Sequence, residues 1–264
     1  MKTDFYQVDS FTERPYYGNP AAVVILDKAA DEEWMARVAA EMNLSETAFL
    51  YSTGKNEYNL RWFTPAEEVD LCGHATLATA HILWEREFVN NSDDISFNTK
   101  SGKLICQNNN GLIAMDFPKE APEESAVPEE VHKGLGVKLL YTGKNRMDYL
   151  VEVESEEVLK NLEPDFNLLK RLDSRGVIVT AHSDNPDFDF VSRFFAPALL
   201  IDEDPVTGSA HCCLAPYWAK KLNKTEFKAM QVSKRQGVLQ VKLKGNRVII
   251  SGNAVTVFEG RILS

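Results

Sequence analysis

Apolar runs separated by turn-forming residues dominate the first third of the chain. Residues 5–8 and 21–26 read as strands on either side of a turn at Tyr17-Gly18-Asn19-Pro20. Residues 31–42 carry Trp34, Val38 and Met42 at helical spacing, with Asp31 suited to the N-cap and Glu32 and Glu33 to the first turn. Residues 46–51, 58–63 and 103–107 follow as strands. Residues 113–117 make one more, reached through the turn Asn108-Asn109-Asn110-Gly111. The stretch after Gly73 breaks this rhythm: Ala75, Leu77, Ala78, Ala80, Ile82, Leu83 and Trp84 leave no polar face. A helix apolar all round is buried on all sides. A second such helix begins at Gly208 with Ala210, Cys212, Cys213, Leu214, Ala215, Tyr217, Trp218 and Ala219. Pro216 inside it is expected to kink or shorten it.

The two apolar helices belong to a repeat. Arg61-Trp62-Phe63-Thr64-Pro65-Ala66 matches Arg193-Phe194-Phe195-Ala196-Pro197-Ala198 at an offset of 132 (193 − 61), and Val69-Asp70 matches Ile201-Asp202 at the same offset. The offset then becomes 135 (208 − 73), pairing Gly73-His74-Ala75 with Gly208-Ser209-Ala210 and Gly102-Lys103-Leu104 with Gly237-Val238-Leu239. Two constant offsets on either side of one insertion mean two related halves. The segment 118–130, PKEAPEESAVPEE, has three prolines and a run of glutamates, which reads as a linker. The expected organisation is an N-terminal half at 1–118, a linker at 119–130 and a C-terminal half at 131–264, with the last strand free to pack back on the first half. The fold class is α/β (α+β): two pseudo-symmetric halves, each a mostly antiparallel sheet wrapped around a central buried helix.

Composition narrows the function. With 264 residues and 44% hydrophobic content, the chain has the make-up of an ordinary globular protein. Its net charge of −10 argues against nucleic acid, which needs a basic face. No run approaches the roughly 18 apolar residues of a membrane span, and residues 1–5 lack the apolar core of a secretory signal. A cytoplasmic protein without a membrane partner is expected. The four cysteines show no C-x-x-C pair and no zinc-type clustering with histidine, so buried free thiols and no metal are expected. His81, His132 and His182 stand without a constellation and read as structural or solvated.

Each buried helix starts with glycine and a small or polar residue, Gly73-His74 and Gly208-Ser209. Glycine permits close approach to the backbone, and the first amides of a helix lack internal partners, which suits an anion. Related by the repeat, the two starts are expected to face one another across a cleft between the halves, where small-molecule pockets tend to lie. A small carboxylate is the ligand class this predicts.

Five blocks then resemble one family. Val8-Asp9-Ser10-Phe11-Thr12, Gly18-Asn19-Pro20-Ala21-Ala22-Val23, Asn43-Leu44-Ser45-Glu46-Thr47-Ala48-Phe49, Leu71-Cys72-Gly73-His74-Ala75-Thr76 and Glu203-Asp204-Pro205-Val206-Thr207-Gly208-Ser209-Ala210 look like the PhzF-like phenazine-biosynthesis proteins. The resemblance implies the diaminopimelate epimerase-like fold. It also implies isomerisation of a cyclic carboxylic acid, a dihydro-hydroxyanthranilate, by proton transfer without a cofactor, and a possible homodimer. Glu46 matches the position of the general acid/base, and His74 and Asp204 match its polar partners. Gly73, Gly208 and Ser209 match substrate-holding positions, and Asn19 and Ser45 in the neighbouring motifs are expected to bind substrate as well. Moving a proton between carbons needs a carboxyl group able to take it and return it.

A two-thiol racemase of the same superfamily would place a cysteine before each glycine motif. Cys72 precedes Gly73, but Thr207 precedes Gly208, and Cys212 and Cys213 stand too far beyond it. A non-catalytic small-molecule binder is the reading from another class. A hydrolase using Ser209 lacks the G-x-S-x-G elbow.

Overall fold

The computed structural model describes residues 3–263. The chain divides into two compact units, Met1–Asp116 with Ser251–Ser264, and Phe117–Ile250.

In the first unit, strand β1 (Thr3–Ser10) pairs antiparallel with β2 (Asn19–Leu26). Helix α1 (Glu32–Met42) follows. Its Asp31 cap accepts from the Trp34 amide at 3.1 Å, and Asn43 ends it in the left-handed region at φ 50°. The helix carries the chain back so that β3 (Glu46–Gly54) lies parallel to β2. Strand β4 (Glu57–Phe63) is antiparallel to β3, and short β5 (Glu68–Val69) folds against its end. After helix α2 (Gly73–Glu85) come β6 (Ile95–Thr99), parallel to β4, then β7 (Gly102–Asn109) and β8 (Leu112–Pro118). The β7–β8 turn places Asn110 at φ 56° and Gly111 at φ 92°, the positive angles that a two-residue hairpin turn requires.

Helix α2 is the core of this unit. Every residue from His74 to Trp84 is buried except His81. The Thr76 and Thr79 hydroxyls donate to the carbonyls of Cys72 (2.5 Å) and Ala75 (2.7 Å), so neither polar group is left unsatisfied in an apolar setting.

The second unit repeats this plan. Residues 119–130, expected as a linker, contain the short strand β9 (Glu123–Glu124), and helix α3 (Glu129–Leu135) begins within them. Strand β9 pairs with β10 (Leu139–Lys144), which is antiparallel to β11 (Asp148–Val153). Short helices α4 (Glu156–Lys160) and α5 (Phe166–Leu169) connect β11 to its parallel neighbour β12 (Gly176–His182). Strand β13 (Phe190–Phe195) is antiparallel to β12. A 3-10 turn at Pro197–Leu199 follows, then helix α6 (Gly208–Leu222). Strand β14 (Glu226–Gln231) lies parallel to β13, with β15 (Gly237–Lys244) and β16 (Arg247–Gly252) after it. Strand β17 (Ala254–Ile262) then pairs antiparallel with β1 in the first unit. Helix α2 touches β1, β2, β3 and β17, a sheet wrapped around one helix.

Pro216 does not shorten α6, which runs on to Leu222. Proline lacks the amide that would bond the carbonyl four residues back. That carbonyl, on Cys212, accepts instead from the Glu120 amide at 3.1 Å. The proline-rich segment thus serves the helix it precedes.

The repeat is visible in side chains. Arg61 lies 5.1 Å from the ring of Phe63 and pairs with Glu68, while Arg193 lies 4.9 Å from the ring of Phe195 and pairs with Glu203. Among the described residues, no helix is long and apolar enough to cross a membrane. All four cysteines are buried and free.

Candidate active site

At the start of α2, Cys72 occupies the N-cap position with extended backbone (φ −142°, ψ 113°) and makes no side-chain cap. The first amides of the helix, on Gly73, His74 and Ala75, have no carbonyl partner within it. The Ser10 hydroxyl donates to the His74 carbonyl at 2.7 Å and ties this turn to β1. Glu46 is the first residue of β3 and is aligned with Ala21 of β2 by the parallel pairing. This brings Glu46 Oε2 to 3.0 Å from His74 Nε2, with the side chains only 14% and 6% exposed. Asn19, at the start of β2, places its Nδ2 3.2 Å from His74 Nδ1, and Cys72 Sγ lies 3.6 Å from the same nitrogen. An amide nitrogen only donates, so in this arrangement Nδ1 accepts and Nε2 carries the proton toward Glu46. A charged ring needs the Asn19 amide turned, with oxygen toward Nδ1.

The electrostatics favour holding that second proton. Burial alone would lower the pKa of His74, but the Cys72 sulfur and the Glu46 carboxylate outweigh it and hold it well above the ordinary imidazole value. Burial raises the Cys72 thiol, and the neighbouring Glu46 carboxylate adds to that rise. Glu46, Cys72 and His74 each offer one ligand atom, and these lie within 4.8 Å of one another. Sequence spacing gave no sign of such a cluster, because Glu46 joins it through strand pairing.

In the second unit Thr207 takes the equivalent place, capping α6 with extended backbone and no side-chain cap. Its hydroxyl donates to Asp204 Oδ2, its amide donates to Gln231 Oε1 at 2.8 Å, and Gln231 Nε2 donates to the Asp204 carbonyl at 2.7 Å. The Asp204 amide donates to the Phe194 carbonyl at 3.0 Å, so the loop is anchored on β13. Ser209 Oγ accepts from Arg175 Nη1 at 2.9 Å. Arg175 also forms a two-pronged pair with Asp148, through Nε at 2.9 Å and Nη2 at 2.5 Å. Asp148 is wholly buried, and burial raises its pKa while Arg175 opposes that. His211 Nδ1 faces the Thr207 carbonyl at 2.8 Å, and burial pushes this histidine down to about 4.

The structure thus joins Asn19, Glu46 and His74 in one cluster. Ser45 is half-buried just before β3 and makes no hydrogen bond to that cluster among the described residues. Asp204 is bound to Thr207, and Ser209 to Arg175. Sequence reasoning missed Cys72 as a neighbour of His74, and it missed Arg175, Asp148 and Gln231 altogether. A half-buried arginine paired with a buried aspartate 27 positions away leaves no local signal.

A family model described as phenazine biosynthesis-like protein, PhzC-PhzF, matches residues 8–260. An "uncharacterized isomerase" of Halalkalibacterium halodurans is 54% identical over 264 residues, 100% of this chain and 99% of the relative. The crystal structure of a PhzF family protein from Enterococcus faecalis superposes with a TM-score of 0.95 at 45% identity, covering 100% of both chains. A "Predicted Epimerase" of Pseudomonas aeruginosa shares the fold, with a TM-score of 0.79 at 21% identity over 99% of both chains. The chain belongs to the PhzC-PhzF family of phenazine biosynthesis-like proteins, and it is an isomerase of that kind.

Proposed function

We propose that the chain isomerises a small carboxylated compound by moving one proton, with Glu46 as the acid/base and no cofactor. The observation that carries this reading is the buried approach of Glu46 Oε2 to His74 Nε2 at 3.0 Å beside the start of α2. Glu46 in its carboxylate form takes a proton from a substrate carbon and returns it to another. His74 Nε2 stands 3.0 Å from that carboxylate, and the attraction between them holds Glu46 in place. The first amides of α2, which have no partner within the helix, take up negative charge that develops on substrate oxygen as the carbon–hydrogen bond breaks. A net charge of −10 gives no overall attraction for an anion, so that attraction is local.

Asp204 is proposed as a further polar partner in the proton transfer, and Asn19, Ser45, Gly73, Gly208 and Ser209 as substrate-holding positions. The hydroxyl of Thr207 is committed to Asp204, which speaks against a second acid/base opposite Cys72 in a two-thiol scheme. The test is to incubate metabolite extracts with the protein in D2O and seek a compound that gains deuterium. Wild type is expected to label it and Glu46→Gln is not. Labelling by Glu46→Gln at the wild-type rate would overturn the assignment, and tight saturable binding without labelling would mark a non-catalytic binder.

A further inference from the structure

We propose that Glu46, Cys72 and His74 form a binding site for a thiophilic divalent cation of the Zn2+ or Cd2+ type, and that its occupation silences the acid/base pair. The silencing rests on the role proposed above for Glu46; the binding does not.

Three side chains from separate backbone positions converge here: the first residue of β3, the residue that caps α2 and the second residue of α2. They present one thiol sulfur, one imidazole nitrogen and one carboxylate oxygen, a mixed set that zinc-like ions accept and that Mg2+ or Ca2+ does not favour. Cys72 Sγ lies 4.0 Å from His74 Nε2, and Nε2 lies 3.0 Å from Glu46 Oε2. Zinc bonds of about 2.3 Å to sulfur and about 2.0–2.1 Å to nitrogen and oxygen put tetrahedral donor atoms roughly 3.3–3.6 Å apart. All three donor atoms lie within 4.8 Å of one another, so rotation of the side chains has at most about 1.2 Å of donor separation to close.

A second, independent observation points the same way. Glu46 Oε2 is buried and, although close to Nε2, makes no well-directed hydrogen bond. An anionic oxygen in that state favours a cation on it. The other side of the imidazole is supported as well. With a metal on Nε2 the ring carries its proton on Nδ1, and Asn19 at 3.2 Å accepts it once its amide presents oxygen. Metal bonding displaces the Cys72 thiol proton and, from a charged His74, the Nε2 proton, so one proton leaves for solvent at each of these two ligands. A cation held on Glu46 Oε2 blocks the lone pair that would take the substrate proton.

The test uses the full-length protein, reduced and freed of metal, titrated with CdCl2. The ultraviolet thiolate-to-cadmium charge-transfer band and calorimetry report binding. One equivalent is expected. Cys72→Ser should abolish the band, and Glu46→Gln should weaken binding at least about tenfold, since even groups one shell beyond a ligand cost about 10- to 100-fold when removed. Circular dichroism confirms that each variant is folded, and Glu46→Gln, at a partly exposed position, answers if Cys72→Ser is not. A band that survives in Cys72→Ser would come from Cys106, Cys212 or Cys213 and would overturn the site, as would unchanged affinity in Glu46→Gln. Deuterium labelling by the wild type should fall as cadmium saturates and return with EDTA. Saturation without that loss would overturn the silencing. Full turnover by metal-free Glu46→Gln would overturn the acid/base reading and leave the isotherm as it stands.

Discussion

The starts of α2 and α6 are the same piece of backbone built into two different chemistries. Both helices open on glycine after an extended cap residue that makes no side-chain cap, and both are buried along most of their length. At α2 the flanking side chains are a glutamate, a thiol and a histidine packed together, with the histidine biased toward its charged form. At α6 they are a threonine bonded to an aspartate and a serine fixed by an arginine, with the nearby histidine biased toward its neutral form. The difference lies in who stands beside each imidazole. His74 has a carboxylate at 3.0 Å, whereas His211 has only a backbone carbonyl, and burial wins. The repeat kept the packing and not the side chains: a carboxylate, a thiol and an imidazole cluster at one helix start, and fixed hydrogen bonds stand at the other.

The largest expected break of that contrast is Glu46→Gln. Deuterium labelling should fall by about 10²- to 10⁴-fold, the range for loss of a positioned acid/base, with thermal stability little changed. An unchanged labelling rate would remove the chemical distinction between the two ends.

Arg175→Met comes next. It leaves Asp148, which is fully buried, without its partner, and should destabilise the protein by about 3–5 kcal/mol. Urea unfolding measures it, and a loss below about 1 kcal/mol would mean the pair does not anchor this end.

The two histidines give opposite pH signatures. An unfolded chain protonates His211 near the ordinary 6.5, whereas the folded chain does so only near 4. The unfolded state therefore binds more protons between those values, and stability falls as pH drops from about 6.5 to about 4, by about 3 kcal/mol in all. His74 acts in the other direction. Its folded pKa is raised, so its contribution is complete below pH 6.5 and is lost as pH climbs through the folded value. Melting temperatures of wild type and His211→Leu across pH 4–7 should differ in slope, with the variant flatter; parallel curves would contradict the assignment.

The smallest effect expected is that of Ser209→Ala, which removes one hydroxyl held by Arg175. Loss of a single hydrogen bond is worth about 1 kcal/mol, so KM for the labelled compound should rise severalfold with kcat nearly constant. A fall in kcat with KM unchanged would assign Ser209 to the chemical step instead.

Much of the fold was legible because its signals are short-range. Asp31 and the Trp34–Val38–Met42 spacing bracket α1 within one residue of where it lies. Asn110 and Gly111 mark their hairpin, since few other residues accept positive φ there. Pro216 misled, because its cost to α6 depends on whether anything else bonds the Cys212 carbonyl, and Glu120 lies 92 positions away (212 − 120). For the site, the motifs around Asn19, Glu46 and His74 were visible as a resemblance. That Cys72 sulfur would touch His74, and that Arg175 would reach Ser209, were not.

The sequence by itself determined the strand and helix segments, their twofold repetition and the glycine-led starts of the two buried helices. These follow from side-chain periodicity, capping and turn preferences, which act over a few residues. Only the tertiary structure decided which polar groups share a neighbourhood. Parallel pairing of β2 with β3 sets Asn19 and Glu46 on the same sheet end as α2, and the pairing of β13 with β14 brings Gln231 to Thr207. Burial then fixes the proton affinities, because the charge a histidine carries depends on what lies within a few ångströms of it and not on what precedes it in the chain.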